Sequence, residues 1–202
     1  ANPPLTTIHL QAQELARRSH NPWSLHQLIV NTEGQVNLDD ASIAIANKPG
    51  LVSVMLANNE TGVIQEVAAI AELAKTQGAW MHTDAVQAFG KISLNFSDLN
   101  VHAMTISSHK IYGPKGAAAL IVDKRLILKP LIYGGGHENG IRSGTENVPA
   151  IVGFGVACEL IKTRIAEMSS HITQLREYLE QGLIALGATI FGQNTPRLPN
   201  TC

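Results

Sequence analysis

The chain has 202 residues, of which 45% are apolar and 15% charged, with a formal net charge of -1. That balance describes a globular fold rather than a disordered chain. It supplies no electrostatic reason to expect nucleic acid or an anionic membrane as a partner. No window approaches 18 uninterrupted apolar residues, so no transmembrane helix is expected.

Two cysteines, Cys158 and Cys202, lie far apart and form no CxxC. Neither a disulfide scaffold nor a cysteine-based zinc site is expected, and a reducing, cytoplasmic setting fits. A chain that starts at Ala1 without Met and ends on "RLPNTC" reads as part of a longer protein.

In chain order, "LQAQELARR" from Leu10 is the end of an amphipathic helix, stopped by "SHNP". "WSLHQLIV", Trp23 to Val30, is a candidate strand, and "NTEG" after it is a turn. "NLDDASIAIA" starts a helix, with Asn37 as cap and acids in the first turn. "LVSVMLA", Leu51 to Ala57, suits a strand buried on both faces. Val67, Ile70, Ala71 and Ala74 recur at helical spacing. "AWMHTDA", "AMTISS" and "AAALIV" are three further strands.

This order predicts an α/β domain with a mostly parallel sheet. The hop from "TISS" over "HKIYGPKG" to "AAALIV" is too short for a parallel crossover, so one antiparallel pair is expected. After Val148 the sequence reads as two helices or one kinked helix, and "ATIFG" as the possible start of a further strand. The expected division is a large domain over residues 1–165, then a linking helix and the start of a small domain over 166–202. Trp23 and Trp80 read as core, and Cys158 as a core thiol.

Ligands of open α/β sheets bind beyond the carboxyl ends of the strands. Polar residues collect there. "LVSVMLA" runs into Asn58, Asn59, Glu60 and Thr61; "AWMHTDA" into Asp84 and Gln87; "AMTISS" into Ser107, Ser108, His109 and Lys110. "GGGHENGIRSGTEN" adds His137, Arg142, Ser143 and Thr145. A phosphate needs hydroxyls, backbone N–H groups and cations. A protonated pyridine nitrogen needs a carboxylate, and an aldehyde needs an amine. Asp84, Ser107, His109 and Lys110 supply these roles together, which points to pyridoxal 5'-phosphate. His82-x-Asp84 on a strand has no third ligand at matching spacing, so no metal site is expected.

Four segments in order, "ANNETGVIQEVAAIAELAK", "HTDAVQAFGKI", "TISSHKIYGPKG" and "GGGHENGIRSGTENVPAIVGFGVA", resemble the cysteine desulfurases. These belong to the class V aminotransferase group of fold-type I enzymes. "GGGHE…RSGT" beside "HKIYGPKG" resembles the iron–sulfur-cluster and nitrogen-fixation branch.

The resemblance implies that Lys110 is the Schiff-base lysine and that Asp84 pairs with the pyridinium nitrogen. Gln87 and Asn59 are expected near the phenolic oxygen, and Ser107 and His109 at the phosphate. Thr145 is expected to reach the phosphate of a partner subunit, making the active unit a homodimer. His9 stands at about the place of the ring-stacking histidine, although Ile8 precedes it where the family has Glu. Arg142 either binds a substrate carboxylate or braces its loop. Neither Cys158 nor Cys202 matches the mobile-loop cysteine that accepts sulfur.

The implied reaction takes L-cysteine to L-alanine, with the sulfur passed on to an iron–sulfur scaffold or another acceptor protein. Weak or no activity is expected of this chain by itself. A selenocysteine lyase, a kynureninase-like enzyme and a non-catalytic interaction module of the same fold remain alternatives.

Overall fold

The computed structural model describes residues 24–202, together with Glu14 and Arg17. Within it, helix α1, Leu38–Ala46, begins where the sequence supplies a cap. The Asn37 side chain accepts hydrogen bonds from the backbone of Asp39 and Asp40 at 2.9 and 3.1 Å, satisfying donors that a helix start leaves without partners. Asp39 and Asp40 also place negative charge at the positive end of the helix.

Four strands follow: β1 (Leu51–Met55), β2 (Trp80–Asp84), β3 (Ala103–Ser107) and β4 (Ala118–Val122). They form one sheet in that order. β1, β2 and β3 run parallel, and β4 returns antiparallel to β3 with Ser107 opposite Ala118. The expected antiparallel pair is therefore present, at the edge of the sheet. Helix α2, Val67–Thr76, makes the crossover between β1 and β2 and buries Val67, Ile70, Ala71 and Ala74.

One sheet face carries the core: Val52, Val54, Met81, Thr83, Met104 and Ile106 are all buried. Thr83 lies there because its hydroxyl donates to the Val54 carbonyl at 2.9 Å. Among the described residues the other face is exposed along β1 and at Trp80, while Ala103 and Ser107 of β3 are buried there. Leu51 is 61% exposed and Trp80 39% exposed, so β1 is buried on one face only and Trp80 is not a core residue. A uniformly apolar run cannot reveal how many layers will cover it.

Two expected strands do not form. Residues 24–29 are irregular: the segment has a single bridge, Val30 to Val36, and Leu28 packs against the core while Leu25 and Ile29 are exposed. "ATIFG" is loop and turn. β-propensity becomes a strand only where another strand offers a ladder.

Helix α3 spans Val148–Ala185 without interruption, not as two helices. Pro149 sits in its first turn, where a missing N–H costs nothing, and no later proline breaks it. Two glycine contacts dock α3 against the turn that follows β3. A Cβ on Gly153 would stand 2.5 Å from Pro114 Cγ and 2.9 Å from its Cδ. A Cβ on Gly113 would collide with Ser108 Oγ and approach Ala157 Cβ to 3.2 Å. The pyrrolidine ring cannot rotate away, so Gly153→Ala must push the helix off the turn. The expected loss of stability is about 2 kcal/mol, the usual scale of overpacking, read as a lower midpoint in denaturant unfolding.

Candidate active site

The three parallel strands end at one edge, and each hands its chain to a structured turn. After β1, Asn58 Oδ1 accepts from the backbone of Glu60 at 2.8 Å and Thr61 at 2.9 Å, which leaves Asn59 exposed at the tip. After β2, Asp84 Oδ1 accepts from Val86 N at 2.9 Å, starting the turns that carry Gln87 and Lys91. After β3, a 3-10 turn over Ser108–Ile111 presents His109 and Lys110. Tyr112 ends this turn in the left-handed region, with φ 66.

These turns enclose a cleft of about 530 Å³. Asn59, Gln87, His109 and Lys110, four of the residues expected from the sequence, line it together. Lys91, Tyr112, Asn200, Thr201 and Cys202 line it as well and were not among the expected site residues. Among the described residues, no carboxylate pairs with Lys110.

Asp84 and Ser107 stand beside this group, on the sheet face opposite the core, and not in the cleft lining. Asp84 pairs in register with Thr105, two residues before Ser107, so the three share a face. Ser107 is buried and its hydroxyl lies 2.7 Å from His109 Nδ1, linking the strand end to the exposed imidazole. On the same face, His82 bridges strands. Its Nδ1 is 2.8 Å from Ser53 Oγ and its Nε2 is 2.9 Å from Thr105 Oγ1. Burial pushes the His82 imidazole below its ordinary pKa, against a smaller opposing pull from Asp84.

Arg142 and Thr145 lie on a separate loop and are exposed. That loop is closed by an Ile132–Arg142 bridge and by His137 Nδ1 at 2.9 Å from Glu146. It follows that the cleft and the Arg142–Thr145 loop are distinct places in this chain. His9 lies outside the described residues.

The cysteines differ. Cys158 is half-buried against the core, and burial raises its thiol pKa, away from the thiolate that sulfur chemistry needs. Cys202 is exposed at the cleft.

Residues 200–202 reach the cleft because the preceding segment is stitched down. Leu198 N donates to Gly62 O at 2.8 Å, and Ile64 N to Pro196 O at 2.9 Å. Arg197 Nη2 donates to Glu180 Oε2 at 2.8 Å, and Arg176 Nη1 to Leu198 O at 2.7 Å. Glu180 is only 7% exposed. The Arg197 hydrogen bond, with the charges of both arginines, holds its carboxyl below the usual range.

A carboxyl lowered in the folded state contributes its full stability above the ordinary carboxylate pKa. It loses that contribution as pH falls through the lower, folded value. Glu180→Gln is therefore expected to cost about 3 kcal/mol at neutral pH, the cost of leaving a buried charge without its partner. The difference from the wild type should shrink once the pH drops below the carboxylate range, as read by unfolding curves across pH.

The model of the family described as aminotransferase class-V matches residues 6–202. A curated cysteine desulfurase of Gluconacetobacter diazotrophicus is 43% identical over 179 residues, covering 88% of this chain and 45% of the relative. A mitochondrial cysteine desulfurase of Candida maltosa is 46% identical over 177 residues, covering 86% of this chain and 37% of the relative. Among solved structures, a NifS-like protein from Rickettsia africae superposes with TM-score 0.87 at 40% identity, over 95% of this chain and 53% of that one. SspA in complex with cysteine superposes with TM-score 0.70 at 35% identity, over 76% of this chain and 44% of that one.

The chain belongs to the class V aminotransferase family, and it spans about half the length of the curated relatives it matches. Its α/β fold is the fold-type I architecture of these neighbours, with a mostly parallel sheet and one antiparallel strand.

Proposed function

We propose that this chain carries the cofactor-anchoring part of a pyridoxal-phosphate-dependent cysteine desulfurase. The observation that carries the reading is Lys110, lining a cleft with Gln87, Asn59 and His109 and, among the described residues, with no carboxylate to hold it. The donor set fits the cofactor: an amine for an aldehyde, two amides for a phenolic oxygen, a hydroxyl–imidazole pair for a phosphate, and a carboxylate for a ring nitrogen.

When bound, pyridoxal phosphate supplies a ring that accepts the electron pair left when the substrate loses its α-proton. Lys110 would hold the aldehyde through its Nζ, and its amine would be placed to move the substrate's α-proton. Asp84 would pair with the ring nitrogen and favour its protonated form. One of its oxygens already accepts from Val86 N, which restrains the carboxylate. Ser107 and His109 hold each other and would receive the phosphate as a pair.

The overall reaction in this reading takes L-cysteine and an enzyme thiol to L-alanine and a persulfide. The sulfur then serves an iron–sulfur scaffold or another acceptor, in the cytoplasm. Thr145, exposed on its glycine-rich loop, is assigned to a partner's phosphate in a homodimer, and Arg142 on the same loop to a substrate carboxylate. The accepting thiol is assigned to neither Cys158 nor Cys202.

Protein mixed with pyridoxal phosphate is expected to develop visible absorbance that Lys110→Ala abolishes. In the whole protein the same substitution is expected to slow alanine formation from cysteine about a thousandfold, the usual worth of a positioned general base. Unchanged absorbance in Lys110→Ala would remove the assignment.

A further inference from the structure

Lys91 lines the cleft, is half-buried, and has no carboxylate partner among the described residues. Its ammonium donates to the Gln87 carbonyl at 2.8 Å and to the Gln87 side-chain oxygen at 3.3 Å. Burial, and then the nearby charge of Lys110, lowers its pKa. An ammonium offers only donors, so the amide end it touches must be Oε1. This settles an orientation that an amide's shape alone leaves open. Nε2 is then the free end. Among the described residues it has no hydrogen-bond partner, and its two donors remain for an occupant of the cleft.

We propose that Lys91 is a positioning residue, which clamps the Gln87 amide with its NH₂ presented to an anionic oxygen of the cofactor beside Lys110. This rests on the functional reading above. The four-residue spacing matters: the turns from Ala85 to Ile92 bring residue 91 back over residue 87. Gly90, at φ +75, permits the bend, and a Cβ there would stand 2.5 Å from Ile111 Cγ2. The clamp is thereby fixed to the 3-10 turn that bears Lys110.

A lysine that merely capped the turn through the Gln87 carbonyl would affect stability but neither the amide nor the cofactor. Lys91→Met keeps the length and apolar stem and removes the donor. In cofactor-free protein, the Gln87 side-chain NH₂ resonances, assigned by their loss in Gln87→Leu, are expected to move to the positions of a freely rotating amide in Lys91→Met. They should stay in place in Lys91→Arg.

On titration with pyridoxal phosphate, Lys91→Met is expected to weaken binding about fivefold to tenfold, the worth of one hydrogen bond, and to shift the absorbance of the bound cofactor. Gln87→Leu should do the same, and the double variant should lose no more than Gln87→Leu alone. Resonances unmoved by Lys91→Met, or a loss that adds fully to that of Gln87→Leu, would overturn the proposal. If Lys110→Ala abolishes the absorbance while Lys91→Met leaves affinity and spectrum unchanged, this inference falls alone. If the wild-type protein shows no Lys110-dependent absorbance, the functional reading falls with it.

Discussion

The site depends on how closely helix α3 approaches the turn after β3. Gly153 against Pro114, and Gly113 against Ser108 and Ala157, bring a long helix into contact with the residues that bear Lys110. Lys110 is thus carried by backbone wedged between helix and sheet rather than by a free loop. Sites on rigid elements hold their geometry more accurately than sites on mobile ones. The cost is local. Ser108 Oγ is buried without a hydrogen-bond partner, and Tyr112 leaves the turn with a positive φ.

From this anchored turn the rest of the cleft follows by parallel topology. Strands that run in the same direction release their chains at the same edge, so Asn59, Gln87 and Lys110 meet although 51 residues separate the first from the last. The cleft gathers ammonium groups, amides and an imidazole, with no Asp or Glu in its lining among the described residues. Asp84 stands apart on the sheet face, with Ser107. Such a division separates groups suited to the anionic parts of a ligand from the carboxylate suited to a basic nitrogen.

Much of this was legible in the sequence. The polar residues after "LVSVMLA", "AWMHTDA" and "AMTISS" mark strand ends, and the shortness of "HKIYGPKG" forces the antiparallel return of β4. The Asn37 cap and the α2 stripe were legible for the same reason: both are short-range patterns with one physical meaning. What eluded the sequence depends on distant partners. "WSLHQLIV" has strand propensity, but its described residues have one bridge to pair with, and Trp80 is apolar but lies on the exposed part of the sheet. Asn200 and Thr201 reach the cleft through long-range contacts, the buried Arg197–Glu180 pair among them, which no spacing rule announces. Lys91 was within reach, since its four-residue offset from Gln87 is visible in "VQAFGK".

The central claim is that Lys110, and not its neighbour Lys91, takes the cofactor's aldehyde. Borohydride reduction of the protein with pyridoxal phosphate would convert that carbon–nitrogen link to a stable amine, and peptide mass spectrometry would locate it. The account predicts a pyridoxyl phosphate group on Lys110 alone. The same group on Lys91, or spread over surface lysines, would contradict it.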